Sequence, residues 1–158
     1  MHVRPAQIAD ADRAIAVVRR SIEELCELDH QRDAATLSLW LSNKTSDNMR
    51  RWIAAHTVLV AVEGERMTAV AAVRTDGHVL LNYVAPEARF QGASKCLMQA
   101  IEAWASTRGL EWLTLDSTAT ALPFYLSTGW TVAGPPQPGF GVTTSSPMRK
   151  IVTSPADR

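Results

Sequence analysis

Residues 84–95 read Val-Ala-Pro-Glu-Ala-Arg-Phe-Gln-Gly-Ala-Ser-Lys, and this stretch restricts the fold more tightly than the rest of the chain. The apolar run Val79 to Val84 before it predicts a strand. A short loop with Arg89 and Gly92 follows. Leu97, Ala100, Ile101 and Trp104 then recur at helical spacing. A strand that turns through small residues into a helix aims several unpaired backbone N–H groups at one point, and the helix dipole adds positive potential there. Such a junction suits a phosphate or pyrophosphate.

The rest of the sequence predicts one α/β domain around that junction. Val3 and its neighbours suggest a short strand ended by Pro5. Asp10 and Asp12 put negative charge in a first helical turn, and Ala11, Ile15, Val18, Ile22 and Leu25 give that helix an apolar face as far as about Leu28. Two short helices are expected within 33–54, around Leu37, Trp40 and Leu41 and around Met49, Trp52 and Ile53. Thr57 to Val62 and Met67 to Arg74 read as strands joined by the turn at 63–66, and Thr75-Asp76-Gly77 turns the chain into the strand before the loop. The helix from Ala93 should stop near Gly109. Glu111 to Ser117 reads as a buried strand. Ala119 to Thr128 reads as a further helix with Pro123 in its first turn, where a missing N–H is tolerated. Trp130 to Ala133 and Met148 to Val152 complete the β segments, on either side of a Pro/Gly-rich loop.

Bulk composition excludes several classes of function. The 158 residues are 46% hydrophobic and 20% charged, with 16 basic and 16 acidic side chains. That balance leaves no electrostatic footprint for nucleic acid or an anionic membrane. No apolar run has the length of a membrane span, and the start of the chain is polar and strand-like rather than a signal peptide, so a reducing cytoplasm is expected. Cys26 and Cys96 form neither a disulfide framework nor a metal-ligand spacing, and no metal is expected.

Three segments in order carry a resemblance. They are Val84-x-Pro86-x-x-Arg89-x-x-Gly92-x-Ser94, then Leu113-Thr114-Leu115-Asp116, then Ala121-x-x-Phe124-Tyr125-x-x-x-Gly129-Trp130. Together they resemble the GCN5-related N-acetyltransferases over about residues 2 to 152. The resemblance implies a central, mostly antiparallel twisted sheet flanked by helices and an acetyl-CoA co-substrate. It also implies transfer to an amine of a small molecule or protein. Two positions depart from the usual loop pattern: Phe90 takes a slot that is often glycine, and Ser94 takes the last small-residue slot.

The resemblance also assigns roles. The strand Leu80 to Val84 should part from Glu111 to Ser117 and admit the pantetheine arm, with a backbone N–H near Tyr83 or Val84 polarising the thioester carbonyl. The pyrophosphate should rest on the N–H groups of Gln91, Gly92, Ala93, Ser94 and Lys95, with charge from Arg89 and Lys95 and with Phe90 shielding or stacking on the ligand. Read without the resemblance, Arg89 is better taken as a solvated loop arginine. Tyr125 stands where many members carry a tyrosine near the cofactor sulfur, so it is the candidate general acid. Its alternative is a half-buried aromatic. Phe124 is expected to face the core. Thr118 is either a pantetheine contact or a helix N-cap.

The general base is harder to read. Glu23, Glu24, Glu27, His30 and His56 have suitable chemistry, and Glu24 is chosen because the end of the first helix commonly lines the acceptor cleft in this family. Asp116 is a further candidate for orienting an amine. Trp40, Trp52, His30 and Asn82 are candidates for shaping the acceptor pocket, although fixing short helices to the sheet is the better expectation for the tryptophans. The C-terminal strand offers a route to a homodimer. A rival of another class is a non-catalytic acyl-CoA-binding or sensing domain. A nucleotide-binding P-loop is disfavoured because the loop lacks the Gly-Lys-Ser/Thr ending.

Overall fold

The computed structural model describes residues 1–154. Its first sheet is antiparallel, in the order β1 (His2–Pro5), β2 (Thr57–Glu63), β3 (Arg66–Val73), β4 (Val79–Val84). β2 and β3 are apolar at nearly every position because both faces are covered. Val58, Val60, Val70 and Ala72 point to one cluster, and Leu59, Ala61, Ala69, Ala71 and Val73 to the other. α1 (Ala11–Leu25) and α4 (Ser46–Ala55) close the first face, and α5 (Ala93–Thr107) closes the second.

The second sheet has the order β5 (Trp112–Ser117), β8 (Thr144–Ile151), β6 (Thr131–Val132), and β7 (Gln137–Pro138) also pairs with β8. The expected α/β architecture, with mostly antiparallel strands and flanking helices, is therefore present. Several boundaries differ from expectation. α1 ends at Leu25, and Glu27–His30 forms a separate turn of helix, α2, because the backbone at Cys26 leaves helical geometry. α3 spans Ala34–Leu41, capped by Asp33, whose carboxylate accepts from the Thr36 N–H. α6 is only Leu122–Ser127, since residues before it are taken up by side-chain-capped turns. β8 begins at Thr144, earlier than the apolar pattern suggests, because Thr144 and Ser145 pair with β7 and Ser146 and Pro147 with β5.

Asp10 does more than favour a helix dipole. Buried, it accepts two bonds from Arg4 (2.7 and 3.0 Å), one from the Gln7 N–H (2.7 Å) and one from Arg13 (3.1 Å). These bonds, the Arg4 guanidinium foremost, hold its carboxyl well below the ordinary carboxylate range. The C-terminal strand β8, expected to offer an edge to a second copy, lies inside its sheet, with β5 on one side and β6 and β7 on the other.

Candidate active site

Among the described residues, one β-bridge joins the two sheets. His78 bridges Thr114, and the Thr114 N–H donates to the Gly77 carbonyl at 3.1 Å. Gly77 has φ of +91°, and a Cβ there would stand 2.9 Å from the Trp112 carbonyl oxygen, so a side chain is excluded by both conformation and space. Beyond this contact β4 and β5 part, and a cleft of about 510 Å³ opens between them.

The register of β4 decides which of its main-chain groups face that cleft. Ala85 N–H donates to the Thr68 carbonyl (2.7 Å), and the pairs Tyr83↔Val70 and Leu81↔Ala72 follow in step. Alternation then turns Tyr83 and Leu81 main chain toward β3, and Asn82 and Val84 main chain toward the gap. Of the two expected thioester donors, Val84 has its N–H on the open side and Tyr83 does not.

At the wide end of the cleft, Gly92 (φ +85°) is the N-cap of α5, and the first intrahelical bond runs from Cys96 N–H to the Gly92 carbonyl (3.0 Å). The N–H groups of Ala93, Ser94 and Lys95 thus precede the helix's own ladder and converge on the loop. Gln91 differs. Its N–H donates to the Ala88 carbonyl (3.3 Å), its side chain to the Glu87 carbonyl (3.3 Å), and it does not line the cleft. Arg89, Phe90, Gly92, Ala93, Ser94 and Lys95 do line it. Phe90 is 90% exposed, has φ of +65°, and lies with the Arg89 guanidinium 4.6 Å from its ring centroid.

The far wall is α6 and the turn before it. Tyr125 is buried, wedged edge-on between Phe124 (5.3 Å between ring centroids) and Trp130 (5.6 Å). Its phenol oxygen accepts from Asn82 Nδ2 at 2.9 Å. Burial pushes the phenol up to about 12, and the Asn82 hydrogen bond opposes that shift. Phe124 is half-buried: it packs against the core as expected and also forms part of the cleft wall. Thr118 both lines the cleft and accepts from the Ala121 N–H (3.0 Å), so its side chain caps the turn that leads into α6.

The end of α1 contributes Ser21, Leu25 and Cys26 to the cleft, but not Glu24. Glu24 points to solvent and pairs with Arg20 at 3.3 Å, one helical turn back along α1. Glu23 and Glu27 are exposed as well, and Glu27 pairs with Arg32. His30 is buried with Nε2 on the Ile22 carbonyl (3.0 Å) and Nδ1 accepting from the Arg32 N–H (3.0 Å), so both ring nitrogens hold the α1–α2 corner together. His56 lies at the end of α4 and is not a lining residue. Asp116 is the carboxylate of the lining, exposed and 3.6 Å from His78 Nε2. Tyr83 also lines the cleft, its phenol pushed up by burial and by the neighbouring Cys26. Burial raises Cys26 itself to about 12, which leaves it an inert thiol. Trp40 is buried against Phe140 and His30, and Trp52 packs on the α1 side of the core, as fixing residues do.

Asp29 was not foreseen from the sequence. Buried, its carboxylate accepts from the Ala119 N–H (2.6 Å), the Thr120 N–H (3.1 Å) and the Thr120 hydroxyl. It ties α2 to the turn that carries α6. Its partners lie 90 and 91 residues away, so no local pattern marks it. Among the described residues no cluster of three His, Cys, Asp or Glu side chains is placed to hold a metal.

A splayed pair of strands, an N–H cradle at the following helix and a buried phenol across the gap define a GCN5-related acetyltransferase fold. The family profile described as the acetyltransferase (GNAT) domain matches residues 28–152, and the chain belongs to that family. Solved structures agree in fold. A GCN5-related N-acetyltransferase from Rhodopseudomonas palustris superposes with a TM-score of 0.86 at 21% identity, over 95% of this chain and 94% of that one. The PaiA N-acetyltransferase from Thermoplasma acidophilum, solved with coenzyme A, gives 0.79 at 16% identity, over 95% and 98%. YncA from Salmonella typhimurium, a putative acetyltransferase solved with acetyl-CoA, gives 0.74 at 21% identity, over 98% and 95%. No curated protein matches the sequence.

Proposed function

We propose that this chain is an acetyl-CoA-dependent N-acetyltransferase that passes acetyl directly to the amine of a small molecule or protein within a ternary complex. The observation that carries the reading is the common cleft: the unladdered N–H groups of α5 and the Tyr125 phenol line the same 510 Å³ space. In this reading Gly92 to Lys95 hold the pyrophosphate, with Arg89 and Lys95 adding charge and Phe90 at the rim. The pantetheine arm pairs with the outward main chain of β4 as an added strand would. The Val84 N–H stands ready for a carbonyl oxygen, and a fixed donor of this kind is worth about 3 kcal/mol in comparable oxyanion chemistry. Thr118 contributes a cleft-side wall next to its capping bond.

The amine lone pair attacks the thioester carbon, the C–S bond breaks, and Tyr125 gives its proton to the departing sulfur. A phenol held near 12 is fully protonated at neutral pH, and its proton is recovered from solvent after each turnover. The acceptor's own proton leaves through water at the cleft mouth, since Glu24 stands outside. Free Cys26 and Cys96 suit a reducing cytoplasm. No helix among the described residues is long and apolar enough to cross a membrane.

Titration calorimetry with acetyl-CoA tests the cofactor reading, and no uptake at millimolar concentration would remove it. Tyr125→Phe should lower kcat roughly a hundredfold and leave the acetyl-CoA KM nearly unchanged. The outward position of Glu24 favours one rival, a non-catalytic acyl-CoA sensor. Tight acetyl-CoA binding with no thiol release, across arylamines, alkylamines, peptides with free amino termini and water, would establish it.

A further inference from the structure

The Tyr125 phenol has one hydrogen and two directions in which to spend it. Asn82 settles the direction. Its Nδ2 is the donor in the 2.9 Å contact, so the phenol oxygen is occupied as an acceptor while its own hydrogen stays uncommitted. The ring cannot swing away, because Phe124 and Trp130 grip its edges and the residue is 5% exposed. Asn82 lines the cleft, and its Oδ1 is buried with no hydrogen-bond partner. Turning the amide over would pair Oδ1 with the phenol hydrogen and withdraw that hydrogen from the sulfur.

We propose that Asn82 is a positioning residue for the transfer step: it donates its amide N–H to the Tyr125 oxygen, so that the phenol hydrogen faces the thioester sulfur. The inference rests on the reading of Tyr125 as general acid. It explains why an amide serves here and a carboxylate would not. An aspartate could only accept, so it would take the phenol hydrogen for itself and make the phenol a weaker acid by placing negative charge beside it. An isosteric leucine would leave the phenol buried without its donor. The step balances as before: amine to carbon, C–S cleaved, phenol proton to thiolate, phenolate reprotonated from solvent.

The test is a double-mutant cycle on the full chain, with thiol release from acetyl-CoA followed with the fastest amine of a panel and with water alone. Asn82→Leu is expected to lower kcat about tenfold, the size of one lost hydrogen bond at a reacting group, with acetyl-CoA binding by calorimetry unchanged. Asn82→Asp should be slower still at neutral pH and should regain rate as acid protonates the new carboxyl. Both effects should vanish when Tyr125→Phe is already present. Equal slowing by Asn82→Leu with and without the phenol, or an Asn82→Asp variant as fast as wild type, overturns the proposal. Failure of the underlying acid reading shows separately, as wild-type turnover in the Tyr125→Phe single variant. Matching thermal melts separate these outcomes from misfolding, and if Asn82→Leu does not fold, the pH profile of Asn82→Asp decides alone.

Discussion

Lys44 is 5% exposed, with Nζ donating to the Asn43 side chain (2.6 Å) and the Trp40 carbonyl (3.3 Å) and with the Phe140 ring 5.4 Å away. No carboxylate pairs with it in these contacts, and burial lowers its ammonium from 10.5 to about 8. The sign follows from the proton count. Between about 8 and 10.5 the unfolded chain binds the proton that the folded chain has lost, so stability rises with pH across that window. Below it both states are charged and the cost of the buried charge is constant. Lys44→Met should therefore stabilise the protein at pH 7 by roughly 1–3 kcal/mol, and its advantage should shrink as the pH climbs through that window. Urea melts at several pH values measure this, and a constant difference would contradict it. Phe90 carries a different cost. A left-handed φ at a β-unbranched but bulky residue costs about 1 kcal/mol, so Phe90→Gly should raise the melting temperature, while losing acetyl-CoA affinity if the ring contacts the ligand. The sequence marks Phe90 only as a departure from a small-residue pattern. Its backbone strain is invisible there because φ is set by how the loop must turn into α5.

Elements with strong periodicity were legible. The apolar face of α1, the two buried strands β2 and β3, and the strand–loop–helix junction at 79–107 all follow from spacing, because burial on defined faces dictates residue type. α6 and β8 were less so. Their limits depend on bonds from distant residues, Asp29 onto 119 and 120 and β5 onto 146 and 147, and a window of local sequence contains none of these partners. The Asp29 latch has a measurable consequence. Removing a buried carboxylate that accepts three bonds leaves two main-chain N–H groups without their acceptor, which costs on the order of 2–4 kcal/mol. Asp29→Ala should lower the urea midpoint accordingly and speed amide exchange at Ala119 and Thr120. Because α6 carries Tyr125, kcat should fall further than acetyl-CoA affinity does. A variant that keeps wild-type exchange at those two amides would show that the turn holds itself.

At the scale of the molecule, one β-bridge joins the two sheets among the described residues, and beyond it β4 and β5 part. Sequence could suggest the parting through family resemblance, but not its physical terms, because a strand's unpaired edge shows only when its neighbour is placed. Here the terms are specific. Asn82 and Val84 present main chain to an open gap, while Leu81 and Tyr83 spend theirs on β3. A ligand that fills the gap must restore the missing pairing, joining the halves and stabilising the whole fold by mass action, about 2.7 kcal/mol at a hundred times its Kd. Saturating acetyl-CoA should therefore raise the melting temperature and slow hydrogen exchange unevenly along β4. Val84 and Asn82 N–H should gain protection, and Leu81 and Tyr83 N–H, already bonded, should change little. Gly77→Ala, which forces a Cβ onto the Trp112 carbonyl at the bridge, should weaken the hinge and reduce the protection gained. Uniform protection along β4, or protection confined to α5, would mean that the ligand rests on the helix terminus alone and the gap between the sheets is not its groove.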